Sequence, residues 1–364
     1  MRLDGTENTL EHFAEETGCP RPIPGNKVQL LDDAHRFYDA MLEDIRAAEH
    51  YILMEYFILR DDNISTTVLD ALAERARNGV RVCVIVDFMG CFQHVEERGR
   101  FRRLKPDYLK PYLESGVKLV FYKPRLSFPR DHRKLTLIDG KVVYTGGRNI
   151  SDLYLNGIPG IGIFWDMNLR IEGPAVDAFH AGFVRMWEAC NDSPPGISFP
   201  GPPAPCGDTP LSILETPLPG RRPDPEEIFC RLFAEAKESI RLISPYFWPP
   251  RSIWNGLRDA TRRGVDARIL TGASSDMPSL IDKVLLHVVR KQAKKGYFTL
   301  HIQPGGFHHE KVVSIDGHLI AVGSYNLELL SLKVNHEMGV LIDDPAVARD
   351  FDRYFDEHAR NERK

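Results

Sequence analysis

The chain has 364 residues, 43% of them hydrophobic and 27% charged, with a formal net charge of −4. That length exceeds a typical single core and predicts two domains, and the composition is ordinary for a globular protein. Mild acidity argues against a broad non-specific nucleic-acid surface, which is normally basic, and no apolar run reaches the ~18 residues needed to cross a bilayer.

The first twenty residues, MRLDGTENTLEHFAEETGCP, are acidic and polar, and fit neither a signal peptide nor a transit peptide. A helical pattern over 36–50 leads into a strand-like run, YILMEYF, at 51–57. A second helical pattern, from Leu69, ends at Gly79, where an apolar strand begins; glycine between helix and strand is a common C-terminal cap. Next come DHRKLTLIDG from Asp131 and the strand-like KVVYTGGRN. Segment 193–225 then holds 11 of the 26 prolines. Such a stretch serves as a semi-rigid linker. LSILE at 211–215 already reads as a strand, so the predicted division is 1–192, a linker at 193–210, and 211–364.

The second half repeats the order. Helical EEIFCRLFAEAKES precedes IRLISPYF, a further helical pattern ends at Gly264 before an apolar strand, and FHHEKVVSIDG from Phe307 leads to HLIAVGSYN. The alternation predicts an α/β fold with a mostly parallel or mixed sheet in each half. Cys19, Cys83, Cys91, Cys190, Cys206 and Cys230 are scattered, with no Cys-x-x-Cys pair. They read as reduced thiols of a cytosolic protein, with no zinc site.

One offset, 177 residues, relates His132 to His309, Lys134 to Lys311, Asp139 to Asp316, Gly140 to Gly317, Gly146 to Gly323 and Asn149 to Asn326. A lone His-x-Lys on a strand is usually a solvated edge, and a lone Asp-Gly is usually a turn. A duplicated fold alone would repeat apolar positions, with no reason to repeat His, Lys and Asn. On a strand, residues two apart share a face, so each histidine projects with its lysine. Two histidines and two lysines brought together suit a phosphodiester. Lysines neutralise the non-bridging oxygens, one imidazole attacks phosphorus to give a phosphohistidine, and the other exchanges protons with the leaving and incoming oxygens. This chemistry requires no metal or other cofactor.

His-x-Lys-x4-Asp occurring twice resembles the signature of the phospholipase D superfamily. GNKVQLLDD, YILMEYFILRDD, FWDMNLRIEGPAV, SPYFWPP and GSYNLELLSLKVNHE are similar to its bacterial cardiolipin synthase branch. The resemblance implies two similar α/β domains, each a mixed sheet flanked by helices, related by a pseudo-two-fold axis and sharing one active site. It implies His132 as nucleophile and His309 as acid/base, although symmetry leaves the roles exchangeable. It implies that Lys134, Lys311, Asn149 and Asn326, with the small residues Gly147 and Ser324, bind phosphate. Asp139 and Asp316 complete the catalytic signature, but their place at the strand ends favours a structural or network role. Asp166 and Glu337 occupy the positions of histidine-orienting acids, in a crossed arrangement pairing Glu337 with His132 and Asp166 with His309.

The same resemblance implies a phospholipid substrate, with phosphatidylglycerol the expected one. It also implies a cytoplasmic protein associated peripherally with the inner face of the cell membrane, similar to short forms without transmembrane helices. Two segments are candidates for that contact. LYLNGIPGIGIFW at 153–165 is either an interfacial loop or a loop folded onto the core. Arg98, Arg100, Arg102, Arg103 and Lys105 either meet anionic headgroups or form a solvated face. His308 alternates away from the site. The resemblance implies a phosphatidyltransferase that moves a phosphatidyl group between phospholipids through a covalent phosphohistidine; hydrolysis as a phospholipase D and a nuclease-type phosphodiesterase are the alternatives. A binding protein without catalysis is disfavoured by two intact motifs.

Overall fold

The computed structural model of the chain describes residues 9–97, 100–103, 106–191, 193–197, 201–216 and 224–360. Its centre is a sheet of fourteen strands, numbered here in chain order. The first half supplies β1 (Ile23–Leu31), β2 (Tyr51–Tyr56), β3 (Arg81–Asp87), β4 (Lys118–Tyr122), β5 (Lys134–Ile138), β6 (Val142–Gly146) and β7 (Asn168–Glu172). The second supplies β8 (Thr209–Glu215), β9 (Ser239–Ile243), β10 (Asp266–Gly272), β11 (Thr299–Gln303), β12 (Val312–Ile315), β13 (Leu319–Gly323) and β14 (Met338–Asp343).

The spatial order is β4-β3-β2-β5-β6-β7-β1-β8-β14-β13-β12-β9-β10-β11. Read inward from either edge, each strand meets the one seven places later in the chain, which is the duplication expressed as topology. β2, β3 and β4 run parallel, as do β9, β10 and β11; the remaining pairings are antiparallel. The sheet in each half is therefore mixed. The seam is β1 against β8, where the register shifts between Ile23 and Asn26.

Local chemistry explains the elements. β2 is buried along its whole length, because both faces of the sheet are covered. Helix Ala34–Ala47 starts where the Asp33 side chain accepts from Arg36 N–H (2.8 Å). Helix Asn63–Arg77 starts likewise at Asp62, and Gly79 follows its end at φ 89°, a left-handed conformation suited to glycine. Each His-x-Lys strand ends in a tight turn, with both central residues at positive φ: Asp139 53° and Gly140 65°, Asp316 53° and Gly317 67°. This turn matches the twist of a hairpin and favours Asp-Gly.

Three clusters form the core. Helices Ala34–Ala47 and Asn63–Arg77 cover the outer face of the first half-sheet. Helices Pro225–Glu235 and Arg251–Arg262 cover the second, and the first described helix, Thr9–Thr17, joins them through Leu10, Phe13 and Ala14. The third cluster lies between the halves. It combines Leu135, Leu137 and Val143 with Val312, Ile320 and Val340, alongside helices Val176–Asn191 and Pro345–Arg360. The two half-sheets therefore fold onto one shared layer.

The described part of 193–208 has no helix or strand, and β8 begins at Thr209, just inside the linker expected from the sequence. The glycine-rich loop lies on the core: Tyr154, Ile158, Ile161 and Phe164 are buried, while Ile163 is 51% exposed. Arg98 and Lys105 of the basic segment lie outside the described residues. Arg100–Arg103 pair with Gln93–Glu97 as a small hairpin whose side chains are likewise outside the description. All six cysteines are free thiols. Among the described residues no helix is long and apolar enough to cross a membrane.

Candidate active site

Each histidine sits where its own half touches the other. Gly306–His308 runs parallel to Ile163–Trp165, and His309 N–H donates to the Trp165 carbonyl (2.8 Å). In the mirrored place, Asp131 bridges His336 in parallel, and His132 N–H donates to the His336 carbonyl (2.9 Å). Parallel neighbours put the residue after each acceptor carbonyl beside the histidine. These residues are Asp166 and Glu337. Asp166 Oδ2 lies 2.6 Å from His309 Nδ1, and Glu337 Oε2 lies 2.9 Å from His132 Nδ1. Each carboxylate thus holds a histidine of the opposite half.

A carboxylate at Nδ1 fixes the proton there and leaves Nε2 with its lone pair outward. Among the described residues, neither Nε2 has a hydrogen-bond partner. The side chains are nearly enclosed, at 13% exposure for His132 and 9% for His309. Aromatic rings wall them: Phe57 lies 5.1 Å from His132, and Phe307 and Tyr154 lie 5.4 and 5.8 Å from His309.

Lys134 and Lys311 are buried, and each ammonium folds back to the carbonyl of its own histidine. Burial pushes Lys134 down to about 7 and Lys311 down to about 8. Glu337 and Asp166 oppose the shift at both lysines, and Lys311 adds to it at Lys134. The charged groups of the two motifs thus share one electrostatic environment across the pseudo-dyad. Burial also lowers both histidines, His309 to about 4, so both imidazoles are neutral near pH 7. Burial raises the two carboxyls, but Lys311 with His309 holds Asp166 below the ordinary value, and His132 with Lys134 does the same for Glu337.

The remaining expected residues divide. Asp139 and Asp316 do not reach the site. Asp139 accepts from the N–H groups of Glu49, His50 and Tyr51, each at 2.8 Å; Asp316 accepts from Lys237, Glu238 and Ser239 at 2.8–2.9 Å. They pin the starts of β2 and β9. At the rise of a strand, each lies about 16 Å along the chain from its lysine. Their grouping with the catalytic set is therefore corrected to a structural role.

Gly147 and Ser324 are equivalent positions with unlike tasks, and neither presents a free donor side chain to a phosphate. A Cβ on Gly147 would lie 2.1 Å from Asp166 Oδ1, so glycine makes room for that carboxylate. The Ser324 hydroxyl donates to Glu337 and accepts from Met338 N–H (3.0 Å). The Asn149 amide is engaged internally: Nδ2 donates to Tyr154 Oη (3.0 Å), and Oδ1 accepts from Ile58 N–H (3.2 Å). Asn326 keeps its Oδ1 buried and unpartnered. His308 points away, between Glu310 and Gln303.

Two supports escaped the sequence reading. Ser331 Oγ donates to Glu337 (2.5 Å), and Arg148 donates to the carbonyls of Asp166 (2.7 Å) and Asp32 (3.0 Å). Arg148 stands beside Asn149 in the repeated block, but its counterpart is Tyr325, so the repeat gave no signal. Among the described residues, no cluster of three or more His, Cys, Asp or Glu side chains is spaced to hold a metal.

A family model described as cardiolipin synthase, PLD-like domain, matches residues 41–187 and 229–359. The chain belongs to this family. A probable cardiolipin synthase of Bacillus subtilis, YwiE, is 28% identical over 348 residues, covering 93% of this chain and 67% of its own. Cardiolipin synthase 1 of Staphylococcus aureus (strain MRSA252) is 30% identical over 339 residues, covering 89% and 66%. The chain spans about two thirds of the length of these relatives. Phosphatidylserine synthase of Haemophilus influenzae Rd KW20 superposes with a TM-score of 0.72 at 16% identity, over 95% of this chain and 90% of that one. Polyphosphate kinase of Porphyromonas gingivalis gives 0.58 at 14%, over 97% and 52%. At such identities the likeness is one of fold. In this cardiolipin synthase-like chain, the loop after β9 and the short helix Leu329–Lys333 after β13 carry exposed apolar side chains: Trp248 at 48%, Leu329 at 59% and Leu330 at 40%. Trp248 bridges Glu328, the N-cap of that helix, which joins the two segments.

Proposed function

We propose that this protein moves a phosphatidyl group from one phospholipid to the hydroxyl of another, and so makes cardiolipin from phosphatidylglycerol. The observation that carries the reading is the convergence of two carboxylate-held histidines, each with an open Nε2, and two buried lysines from opposite halves. In the first step His132 Nε2 attacks phosphorus, a P–N bond forms, and the P–O bond to glycerol breaks. The leaving oxygen takes its proton from His309 Nε2; a bound phosphodiester raises the pKa of that imidazole and so favours its protonated form. In the second step His309 takes the proton of the acceptor hydroxyl. The acceptor oxygen then bonds phosphorus, and the P–N bond breaks. Lys134 and Lys311 stabilise the charge on the non-bridging oxygens in both steps.

The exposed Trp248, Leu329 and Leu330 support a lipid surface over a nucleic acid, because a nucleic-acid channel calls for a basic groove. On this reading the protein works at the inner face of the cell membrane, in peripheral contact with it.

The test is incubation with phosphatidylglycerol vesicles, with His132→Ala and His309→Ala alongside. Cardiolipin plus free glycerol, lost at least 1,000-fold in both variants, is the expected result for histidines acting as a unit. Phosphatidic acid in place of cardiolipin would make the protein a phospholipase D.

A further inference from the structure

Arg60 follows β2 in the stretch YFILRDD and is 2% exposed. Its main-chain N–H donates to Ser65 Oγ (3.2 Å), but side-chain Nε and Nη1 have no hydrogen-bond partner. Among the described residues, no carboxylate lies within ion-pair distance of it. A buried guanidinium with two nitrogens lacking hydrogen-bond partners is costly, and buried charges are ordinarily paired. Its position is one for a ligand to complete.

Arg60 lies on the His309 side of the cleft. Leu59, just before it, bridges Ile150, and the neighbouring Asn149 amide donates to Oη of Tyr154 (3.0 Å), whose ring packs 5.8 Å from His309; the Arg60 charge acts on Tyr154. It also acts on Asp276, a second-half carboxylate held by the Tyr246 hydroxyl, whose ring packs on Phe307. The duplicated half is built differently here. Tyr51 and Ser239 are equivalent, because Asp139 and Asp316 hold their N–H groups. Nine residues on from each lie Arg60 and Trp248. One half thus sets a buried cation at this position, and the other sets an indole that is 48% exposed.

We propose that Arg60 binds the phosphate of the acceptor lipid, so that the enzyme prefers acceptors carrying a phosphodiester next to the reacting hydroxyl. This assignment rests on the phosphatidyl-transfer reading and deepens it. Lys134 and Lys311 serve the phosphorus under attack, and an acceptor with its own phosphate needs a separate cation beside the base. In the transfer step the acceptor P–O bond forms as the P–N bond to His132 breaks, and the hydroxyl proton passes to His309. The phosphate on Arg60 changes no bond. A neutral alcohol leaves Arg60 unpaired and gains nothing from it.

The test is competition between two acceptors, phosphatidylglycerol and 1-butanol, in phosphatidylglycerol vesicles, with cardiolipin and phosphatidylbutanol both measured. For Arg60→Gln the ratio of cardiolipin to phosphatidylbutanol should fall at least tenfold. Arg60→Lys keeps the charge without the guanidinium fork, and should fall between Gln and wild type; it also provides a reading if Gln folds poorly. Equal loss of both products in both variants, or an unchanged ratio, would overturn the assignment while transfer itself stands. Wild-type protein that forms neither product would refute the transfer reading, and the assignment with it.

Discussion

Nδ1 of an imidazole serves one partner at a time, and this sets the division of labour at His309. Nδ1–H donates to Asp166 at 2.6 Å, so Lys311, 2.8 Å from the same nitrogen, finds no lone pair there and donates to the His309 carbonyl instead. The ammonium is thus held on the Nδ1 side of the ring, and Nε2 stays open. Asp166→Asn and Glu337→Gln keep the shape but lose the charge that stabilises the imidazolium. Each should lower kcat by about 100-fold or more with little change in KM, as judged by steady-state lipid assays. The lysines give a pH signature. Their pKa values near 7 and 8 mean that the free enzyme loses both charges as pH climbs through that window. kcat/KM should therefore fall above pH 7–8. kcat should hold further into the alkaline range, because the bound phosphodiester raises both pKa values. Linkage runs the other way for folding: between about 7 and the ordinary 10.5 the unfolded chain binds more protons, so this pair's contribution to stability grows as pH rises.

At the scale of the element, the Asp-Gly turn is a clamp. Asp139 closes the β5–β6 hairpin and, through three N–H bonds, fixes the start of β2. Asp139→Ala should cost about 3 kcal/mol, since bonds to a charged acceptor are the strong ones. The expected readout is a lower Tm, with kcat per folded molecule within a few-fold of wild type. A collapse of kcat at unchanged Tm would return Asp139 to the chemistry. Gly147→Ala should do the reverse: a Cβ there meets Asp166, so activity drops through a displaced carboxylate, and the His309 nitrogen resonances shift with it. The hairpins, the helix caps and the polar pairs were legible in the sequence because their signals are local: period two, Asp-Gly, glycine after a helix. The block of repeated His, Lys and Asn also showed which residues to bring together. The tasks of Gly147, Ser324 and Asn149 were not legible. Each is settled by a neighbour distant in sequence or by the other half of the repeat, and an offset of 177 residues cannot distinguish a glycine that makes room from a serine that donates.

For the molecule as a whole, the crossed pairing means that neither half owns a complete site. His132 and Lys134 come from one, and the acid that orients His132 comes from the other. A fragment comprising residues 1–200 should show no turnover in a lipid assay and should expose the apolar layer now covered by β12–β14 and helix Pro345–Arg360. The loop after β9 and the helix Leu329–Lys333 should govern attachment. Trp248→Ser together with Leu329→Ser should weaken sedimentation with anionic vesicles several-fold while leaving turnover of a short-chain, soluble phosphatidylglycerol intact.

The proline-rich tether between the halves has a different consequence. Its described residues before β8 lie outside the sheet, and the partners it joins already meet along β1–β8 and through the shared layer. Its service is to keep each half at a high effective concentration for the other, in the millimolar range for a short tether. Cutting it removes no contact of the site but turns a unimolecular fold into a bimolecular complex. The nicked enzyme would stay active when concentrated and lose activity on dilution, so its melting temperature would come to depend on how much protein is in the tube.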